Sequence, residues 1–342
     1  MVGWKWYLKD LNKIEKNNYN VFSCFSCGGG STMGYKLAGY NVLGNVEIDK
    51  NTNDIYIKNN HPKFNYNMDI RDFYKLNKYP KELYNLDILD GSPPCTSFSI
   101  AGNREKDWGK EKKFNEGGKL QTLDDLFFDF LNVAEKLNPK IIIAENVSGL
   151  IKGNAKGYCS LIVKNFNLIG YDVQIFILNA ATMGVPQSRE RVFFIGKRRN
   201  LKYKELKLNF NEKPILFKEV RSEKGIEFNP KSKTKKILQY LKSTDTKISH
   251  INKRLFGIDS GYINRIIHDN NVCLTLTNAG MIIRAHDKTL FSRQDMINVS
   301  TFPQDYNCPD NKIKFICGMS VPPIMMAKIA EQIKIQWLNS EI

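Results

Sequence analysis

Apolar positions along this chain follow two rhythms. In the first half, short apolar runs alternate with amphipathic stretches, the pattern of strands in a parallel sheet joined by helices. Residues 19–25 read as a buried strand, and Gly28-Gly29-Gly30 turns the chain into a helix over 33–38. Further strands are expected at 41–47 and at 86–90, the latter ending in Ser92-Pro93-Pro94. Over 123–137 apolar residues recur at helical spacing (Leu126, Phe127, Phe130, Leu131), and Pro139 separates that helix from a buried strand at 141–144. Strands at 172–178 and 192–195 bring the expected sheet to about six or seven, a common size. After Gly196 the pattern weakens. The stretch 197–270 has few long apolar runs and predicts a small, irregular second domain. A clean helical pattern returns over 321–338, opened by Pro322-Pro323.

Composition narrows the partners. The chain has 342 residues, enough for one large domain or two moderate ones, and 51 Lys and Arg against 35 Asp and Glu. A net charge of +16 favours a polyanion, nucleic acid being the commonest. Residues 200–270 hold 16 of the cations and 8 of the acids, so much of the excess falls in the second domain. The first residues lack the apolar core of a signal peptide, and no apolar run approaches the roughly 20 residues of a membrane span. No membrane association is expected. Seven scattered cysteines do not suggest a disulfide framework, and a reducing cytoplasm fits them best. Cys24-x-x-Cys27 has the spacing of a redox pair or half a zinc site, but no second pair completes a site. The four histidines show no metal spacing, and no metal is expected.

Three features in order point to an adenosine-type cofactor. Phe25, Ser26, Gly28 and Gly30 lie in a turn that lets backbone approach a ligand at a helix N-terminus. Glu47, with Ile48 behind it, ends the second strand, where a carboxylate can accept from two ribose hydroxyls. Asp69, next to Ile70, can accept from an adenine amino group. These features leave NAD and S-adenosylmethionine equally open. Ser92-Pro93-Pro94-Cys95 then places a thiol behind two rigid prolines at the carboxyl edge of the sheet, a position suited to a nucleophile.

At this point the chain resembles the cytosine-5 DNA methyltransferases of prokaryotic and phage restriction–modification systems. The motifs follow the family's order over nearly the whole length. They are Phe25 to Gly30, Glu47, Asp69, Ser92 to Ser99 with Ala101-Gly102, Glu145-Asn146-Val147, Gln187-Ser188-Arg189-Glu190-Arg191, Ser292-Arg293-Gln294 with Phe302-Pro303, and Gly318-Met319-Ser320-Val321-Pro322-Pro323. Three positions depart from the pattern: Cys27 stands where the family has the first Gly of the cofactor loop, Gln294 replaces Glu, and Met319 replaces Asn.

The resemblance implies an α/β, Rossmann-like methyltransferase sheet that binds S-adenosyl-L-methionine, formed by 1–198 plus 311–342. It also implies a smaller target-recognition domain over 199–310. Pro94, Leu126, Ser320 and Val321 join the cofactor-binding set. Cys95 would add to C6 of a cytosine flipped from duplex DNA while Glu145 hydrogen-bonds N3 and the exocyclic amine. Arg191 would contact O2, Arg189 would anchor the closed loop around Cys95, and Asn146 would hold the Pro-Cys loop. That loop, 97–118, would close over the base, with Ser97, Arg104 and Lys106 on DNA. Lys235, Lys236, Arg254 and Arg265 are the candidate DNA contacts of the recognition domain. Double-stranded DNA is the expected partner of a cytoplasmic, nucleoid-associated monomer, with a cognate restriction endonuclease as a genetic rather than physical partner. Two rivals stay open: a tRNA cytosine-5 methyltransferase of the same fold, and a non-catalytic DNA-binding relative.

Overall fold

The computed structural model describes residues 3–94, 111–112, 121–122, 126–151, 156–258 and 264–341. Cys95, Ser97, Arg104 and Lys106 lie outside the described residues, as does most of 97–118.

In chain order the elements are β1 (Asn20–Cys24), α1 (Gly30–Leu37), β2 (Asn41–Val46), α2 (Lys50–Asn60), β3 (Phe64–Tyr66), α3 (Ile70–Lys75), β4 (Ile88–Gly91), the short pair β5 (Glu111–Lys112) and β6 (Gln121–Thr122), and α4 (Leu126–Leu137). There follow β7 (Ile141–Val147), α5 (Lys156–Leu168), β8 (Tyr171–Asn179), β9 (Gln187–Ser188) and β10 (Glu190–Arg198). The rest comprises α6 (Phe217–Val220), α7 (Lys233–Leu238), α8 (Ile248–Phe256), β11 (Arg265–Ile267), β12 (Cys273–Leu274), β13 (Ile282–Arg284), α9 (Arg293–Val299), α10 (Asp310–Met319) and α11 (Pro323–Gln336).

Two compact units emerge. The larger comprises Leu11–Asn179, Glu190–Asn209 and Met326–Ile342. Its seven-stranded sheet has the order β3-β2-β1-β4-β7-β10-β8. The chain moves outward from β1 to β3, then returns to the other side of β1 for β4. The carboxyl ends of β1 and β4 therefore flank a topological switch point, where open α/β sheets bind ligands. The wholly parallel expectation needs one correction. β10 runs antiparallel to both β7 and β8, because the short 180–189 connection turns the chain straight back rather than carrying it across the sheet.

Alternation divides the two faces. Phe22, Leu89, Ile142, Ala144, Val192 and Phe194 point into one core with Phe73 of α3, Phe127 and Phe130 of α4, and Ile162 of α5. Burial of each Phe, Leu, Ile or Val side chain among them contributes about 1.5–3 kcal/mol. The other face of the same strands carries Ser23, Asp90, Ile143, Glu145 and Phe193, which the strand register sets side by side. Gly44 has a specific reason: a Cβ there would meet the carbonyl oxygen of Phe64 at 1.8 Å, so only glycine lets β2 and β3 pair.

The smaller unit comprises Met1–Asp10, Ala180–Arg189 and Phe210–Met325. It shares 210–310 with the expected recognition segment and adds three pieces. The amino-terminal one is tied in by Trp6 Nε1 donating to Thr301 O (2.9 Å) and Leu8 N donating to Asp305 Oδ1 (2.8 Å). Its core joins Phe228, Leu238, Ile248, Ile251, Ile266 and Ile283. Arg284 and Asp295, neither exposed at all, form a 3.2 Å ion pair within it. On apolar spans the sequence reading needs correcting. The stretch Asp310–Ser340, which takes in α10 and α11, is long and apolar enough by length and composition to cross a membrane, but 78% of its 18-residue apolar window is buried, as expected of core helices.

Candidate active site

The site of the larger unit is built at the carboxyl edge of its sheet. The turn after β1 is conformationally demanding: Phe25 and Cys27 have φ of 53° and 47°, and Gly29 has 87°. The left-handed region costs a residue with a Cβ roughly 1–2 kcal/mol, so surrounding contacts must hold the loop. Cys27 N donates to Glu47 Oε2 at 2.8 Å, and Asp49 N donates to Oε1 at 3.0 Å. Burial pushes the Glu47 carboxyl above its ordinary pKa, opposed by these backbone donors. Gly28 and Ser26 are buried, and Gly30 opens α1.

Asp69 caps α3 and takes two side-chain hydrogen bonds from Arg71, at 2.9 and 2.6 Å. Burial alone would raise its pKa, but the Arg71 hydrogen bonds hold it below the usual carboxylate range. Ile48 is 49% exposed beside Glu47, whereas Ile70 and Leu126 pack into the core.

These residues fit an adenosyl cofactor. The Glu47 oxygens, held by the backbone N–H groups of Cys27 and Asp49, keep lone-pair capacity for a hydroxyl. Ile48 offers an exposed apolar surface next to it for a purine. S-adenosyl-L-methionine would be held by the 25–30 turn, Glu47, Ile48 and Asp69.

On β7 and β10 the register places Phe193 opposite Glu145 and Arg191 opposite Val147. Glu145 and Arg191 are thus diagonal neighbours on one face, and Arg191 Nε lies 2.9 Å from Glu145 Oε1. Their side chains are only 13% and 9% exposed. Burial lowers the Arg191 pKa, and the Glu145 charge pulls it back up. Next to Glu145, Asn146 Nδ2 donates to Pro93 O at 3.0 Å. This bond ties β7 to the Pro93-Pro94 turn that precedes Cys95. Pro94 is half-buried.

Sequence reasoning passed over Asp90, on β4 just before that turn. It is 1% exposed and accepts from Ser23 Oγ (3.0 Å) and Tyr35 OH (3.1 Å) with no cation among those partners. Burial pushes its pKa up to about 7, against those two hydrogen bonds and with a further push from Glu145. The available signal was an acid ending an otherwise apolar strand.

The remaining residues named from sequence fall in the smaller unit. Arg189 is 2% exposed, donating Nη1 to Leu276 O (3.2 Å) and Nη2 to Gly318 O (3.0 Å). It thereby ties the residue after β9 to the segment following β12 and to α10. Ser320 is buried and its Oγ has no hydrogen-bond partner among the described residues, while Val321 is core. Lys235 and Lys236 are exposed on α7, the former 3.3 Å from Glu227. Arg254 is committed within the unit: its Nη1 and Nη2 donate to Asp245 at 2.6 and 2.9 Å, and Nη2 also donates to Tyr240 O at 2.7 Å. Arg265 is half-buried and donates to Thr277 Oγ1 at 3.2 Å. The structure brings Glu145, Asn146 and Arg191 together in one unit and sets Arg189 in the other.

A family model described as C-5 cytosine-specific DNA methylase matches residues 19–335. Type II methyltransferase M.Sau96I of Staphylococcus aureus is 34% identical over 202 residues, covering 59% of this chain and 44% of that protein. Type II methyltransferase M.NgoPII of Neisseria gonorrhoeae is 35% identical over 207 residues, covering 59% and 54%. Orphan methyltransferase M.SPRI of Bacillus phage SPR is 34% identical over 181 residues, covering 53% and 38%. The matched regions thus span about half the length of these curated relatives. Among solved structures, the S. pombe Dnmt2 methyltransferase superposes with a TM-score of 0.58 over 95% of this chain and 100% of that one, at 15% identity. A protein described as a DNA modification methyltransferase encoded within an E. coli prophage gives 0.69 over 94% and 100%, at 19% identity. At those identities the likeness shows the fold.

Proposed function

Because the chain belongs to the C-5 cytosine-specific DNA methylase family, we propose that it transfers a methyl group to carbon 5 of a cytosine flipped out of double-stranded DNA. The observation that carries this reading is the Asn146–Pro93 bond beside the Glu145–Arg191 pair. It supports a fixed Pro-Cys turn next to a carboxylate and a guanidinium aimed along one sheet face.

The chemistry needs those groups. The Cys95 thiolate forms a bond to C6, and proton donation from Glu145 to N3 draws the displaced electron pair into the ring. Arg191 neutralises Glu145 between turnovers and donates to the cytosine O2. Bound S-adenosyl-L-methionine supplies an electrophilic methyl group to the C5 carbon made electron-rich by that addition. The C5 proton then leaves to solvent, its electron pair re-forms the C5–C6 double bond as the thiolate is expelled, and the N3 proton returns to Glu145. Asn146 holds the turn so that the thiol is presented from the sheet edge. Arg189 braces the smaller unit, which carries the sequence recognition within 199–310. Lys235 and Lys236 on the exposed face of α7 are the phosphate contacts we favour there, with Arg265 a weaker one and Arg254 structural. The protein acts as a cytoplasmic, nucleoid-associated monomer, and any restriction endonuclease is a genetic partner.

Incubation with duplex DNA containing 5-fluorocytosine and the cofactor tests the reading, since fluorine at C5 cannot leave as a proton would and the adduct persists. The expected result is a denaturation-stable protein–DNA adduct, lost in Cys95→Ser. Labelled methyl transfer to tRNA but not to DNA would replace the substrate assignment. DNA binding without any adduct would support the non-catalytic rival.

A further inference from the structure

Glutamine stands at 294 where the family's motif has glutamate, and the smaller unit gives that exchange a use. Gln294 lies on α9, and Asn298, one turn further along, is 5% exposed. Asn298 Nδ2 donates to Val220 O at 2.6 Å. A backbone carbonyl only accepts, so this bond fixes the Asn298 amide and leaves its Oδ1 as an acceptor on the other side. Gln294 Nε2 donates to that oxygen at 2.7 Å, and Gln304 Nε2 does so at 3.1 Å. Gln294 Nε2 also donates to Gln304 Oε1 at 2.6 Å. Anchored on the carbonyl, the three amides cannot flip, singly or together. A glutamate carboxylate at 294 would set oxygen against the Asn298 oxygen.

Both donors of Gln294 are thus spent inward. Its Oε1 takes no hydrogen bond among the described residues and stays reachable by solvent. Gln294, Asn298 and Gln304 line a cleft of about 800 Å³, all of whose walls belong to the smaller unit. That volume is in the usual range for a small-molecule site. Trp4, half-buried in the wall, has no ring contact and no hydrogen bond from its indole among the described residues. The ring of Tyr7 is already taken, with Lys9 Nζ 5.4 Å from its centroid. Charge in the wall nearly cancels, Lys5, Arg221 and Lys224 against Glu219 and Glu223. The cleft therefore selects neither an anion nor a cation. It offers an aromatic surface and an oriented acceptor, which a flat, neutral heterocycle with an N–H donor satisfies together.

We propose that this cleft binds an unpaired nucleobase carrying an exocyclic amino group, with the Trp4 ring stacked on the base and Gln294 Oε1 accepting from its amine. The base must be unpaired, because within a duplex both of its faces are covered by stacking. Its source is either a free nucleoside or a base exposed in a DNA strand, and both present the same chemistry.

The test is titration calorimetry on the full chain with adenosine and with purine riboside, which lacks only the 6-amino group. Trp4→Ala changes this cleft and leaves the cofactor turn of the larger unit untouched. The difference between wild-type and variant isotherms is therefore the binding due to the cleft. That component should favour adenosine about tenfold over purine riboside. Gln294→Leu should bring adenosine down to the purine riboside level and leave purine riboside unchanged, which also shows that the cleft is still formed. Displacement of the Trp4-dependent adenosine by single-stranded oligo(dA) would assign a base of a DNA strand as the occupant. Failure of the oligonucleotide to displace it would assign the free nucleoside. Absence of any Trp4-dependent adenosine binding, or equal wild-type affinity for the two ribosides, would overturn the proposal.

Discussion

The Glu145–Arg191 pair allows the reasoning about the site to be tested through stability alone. Both side chains are about one-tenth exposed and joined at 2.9 Å. Removing one partner of a fully buried pair costs about 3–5 kcal/mol, chiefly because the survivor keeps an uncompensated charge. The residual exposure here lowers that to roughly 2–3 kcal/mol for Arg191→Met, which strands the Glu145 carboxylate. Glu145→Gln leaves an amide oxygen that still accepts from the guanidinium, so a loss of about 1–2 kcal/mol is expected. The double variant has two neutral side chains in the same space and should lose no more than about 1 kcal/mol. The single losses therefore overshoot the double by roughly 2–4 kcal/mol, a coupling well outside ordinary additivity. Hydrogen exchange of β7 and β10 peptides across a urea series reads the larger unit directly. Methyl transfer should be abolished or severely reduced in all three variants, including the stable double one. Single losses that add up to the double would refute the pair as a compensated buried charge, and with it Arg191 as the neutralising partner of Glu145.

Asp90 makes a pH signature. Its folded pKa of about 7 lies above the ordinary carboxyl value of about 4. Its stabilising contribution is thus complete below about pH 4 and is lost as pH rises to about 7, because the folded state holds the proton that the unfolded state has released. Asp90→Asn should flatten that slope and unfold at higher urea than wild type at pH 8, measured by circular dichroism; an unchanged slope would place the buried proton elsewhere. For Asp245 the sign is opposite: hydrogen bonds from Arg254 hold its pKa below the usual range, so its contribution is present above about pH 4 and lost as pH falls further. Arg254→Gln should lower the unfolding midpoint of the smaller unit at neutral pH and remove this acid dependence; an intact midpoint with weakened DNA binding would restore it as a contact. Changing Lys235 and Lys236 together to Ala should reduce the slope of log affinity against log salt for duplex DNA by about 2, read by fluorescence anisotropy. An unchanged slope would remove α7 from the interface.

Much of the larger unit was legible because its strands are buried on both faces and so read as apolar runs. Asn20–Cys24, Asn41–Val46, Ile88–Gly91 and Ile141–Val147 lie within a few residues of their expected positions. β3 was missed for the converse reason: Phe64–Tyr66 is three residues at the sheet's edge, half-buried or exposed, with too short an alternation to register. The direction of β10 depends on how the chain returns, which no local pattern encodes.

Side-chain roles divide along the same line. Glu145, Asn146 and Arg191 were grouped by the resemblance of their two motifs to those of the family, and the adjacency of Glu145 and Arg191 follows only once β7 and β10 pair. Arg254 could not be separated from Lys235 by type or by neighbourhood in the chain, since both stand in the same basic stretch. What separates them is that Asp245 is buried within reach of one and not of the other. Asn45 carried a clearer warning, being a polar residue at an inward position of an apolar strand. Such a residue must be satisfied by partners that the strand itself does not supply. Here they came from α2 and β3, 8 and 20 residues away, and one more bond, 2.9 Å long, joins Asn45 to Ser26 in the cofactor turn. An unexplained polar residue in a buried run is therefore a reason to look one contact outward, at what it holds, before treating it as packing.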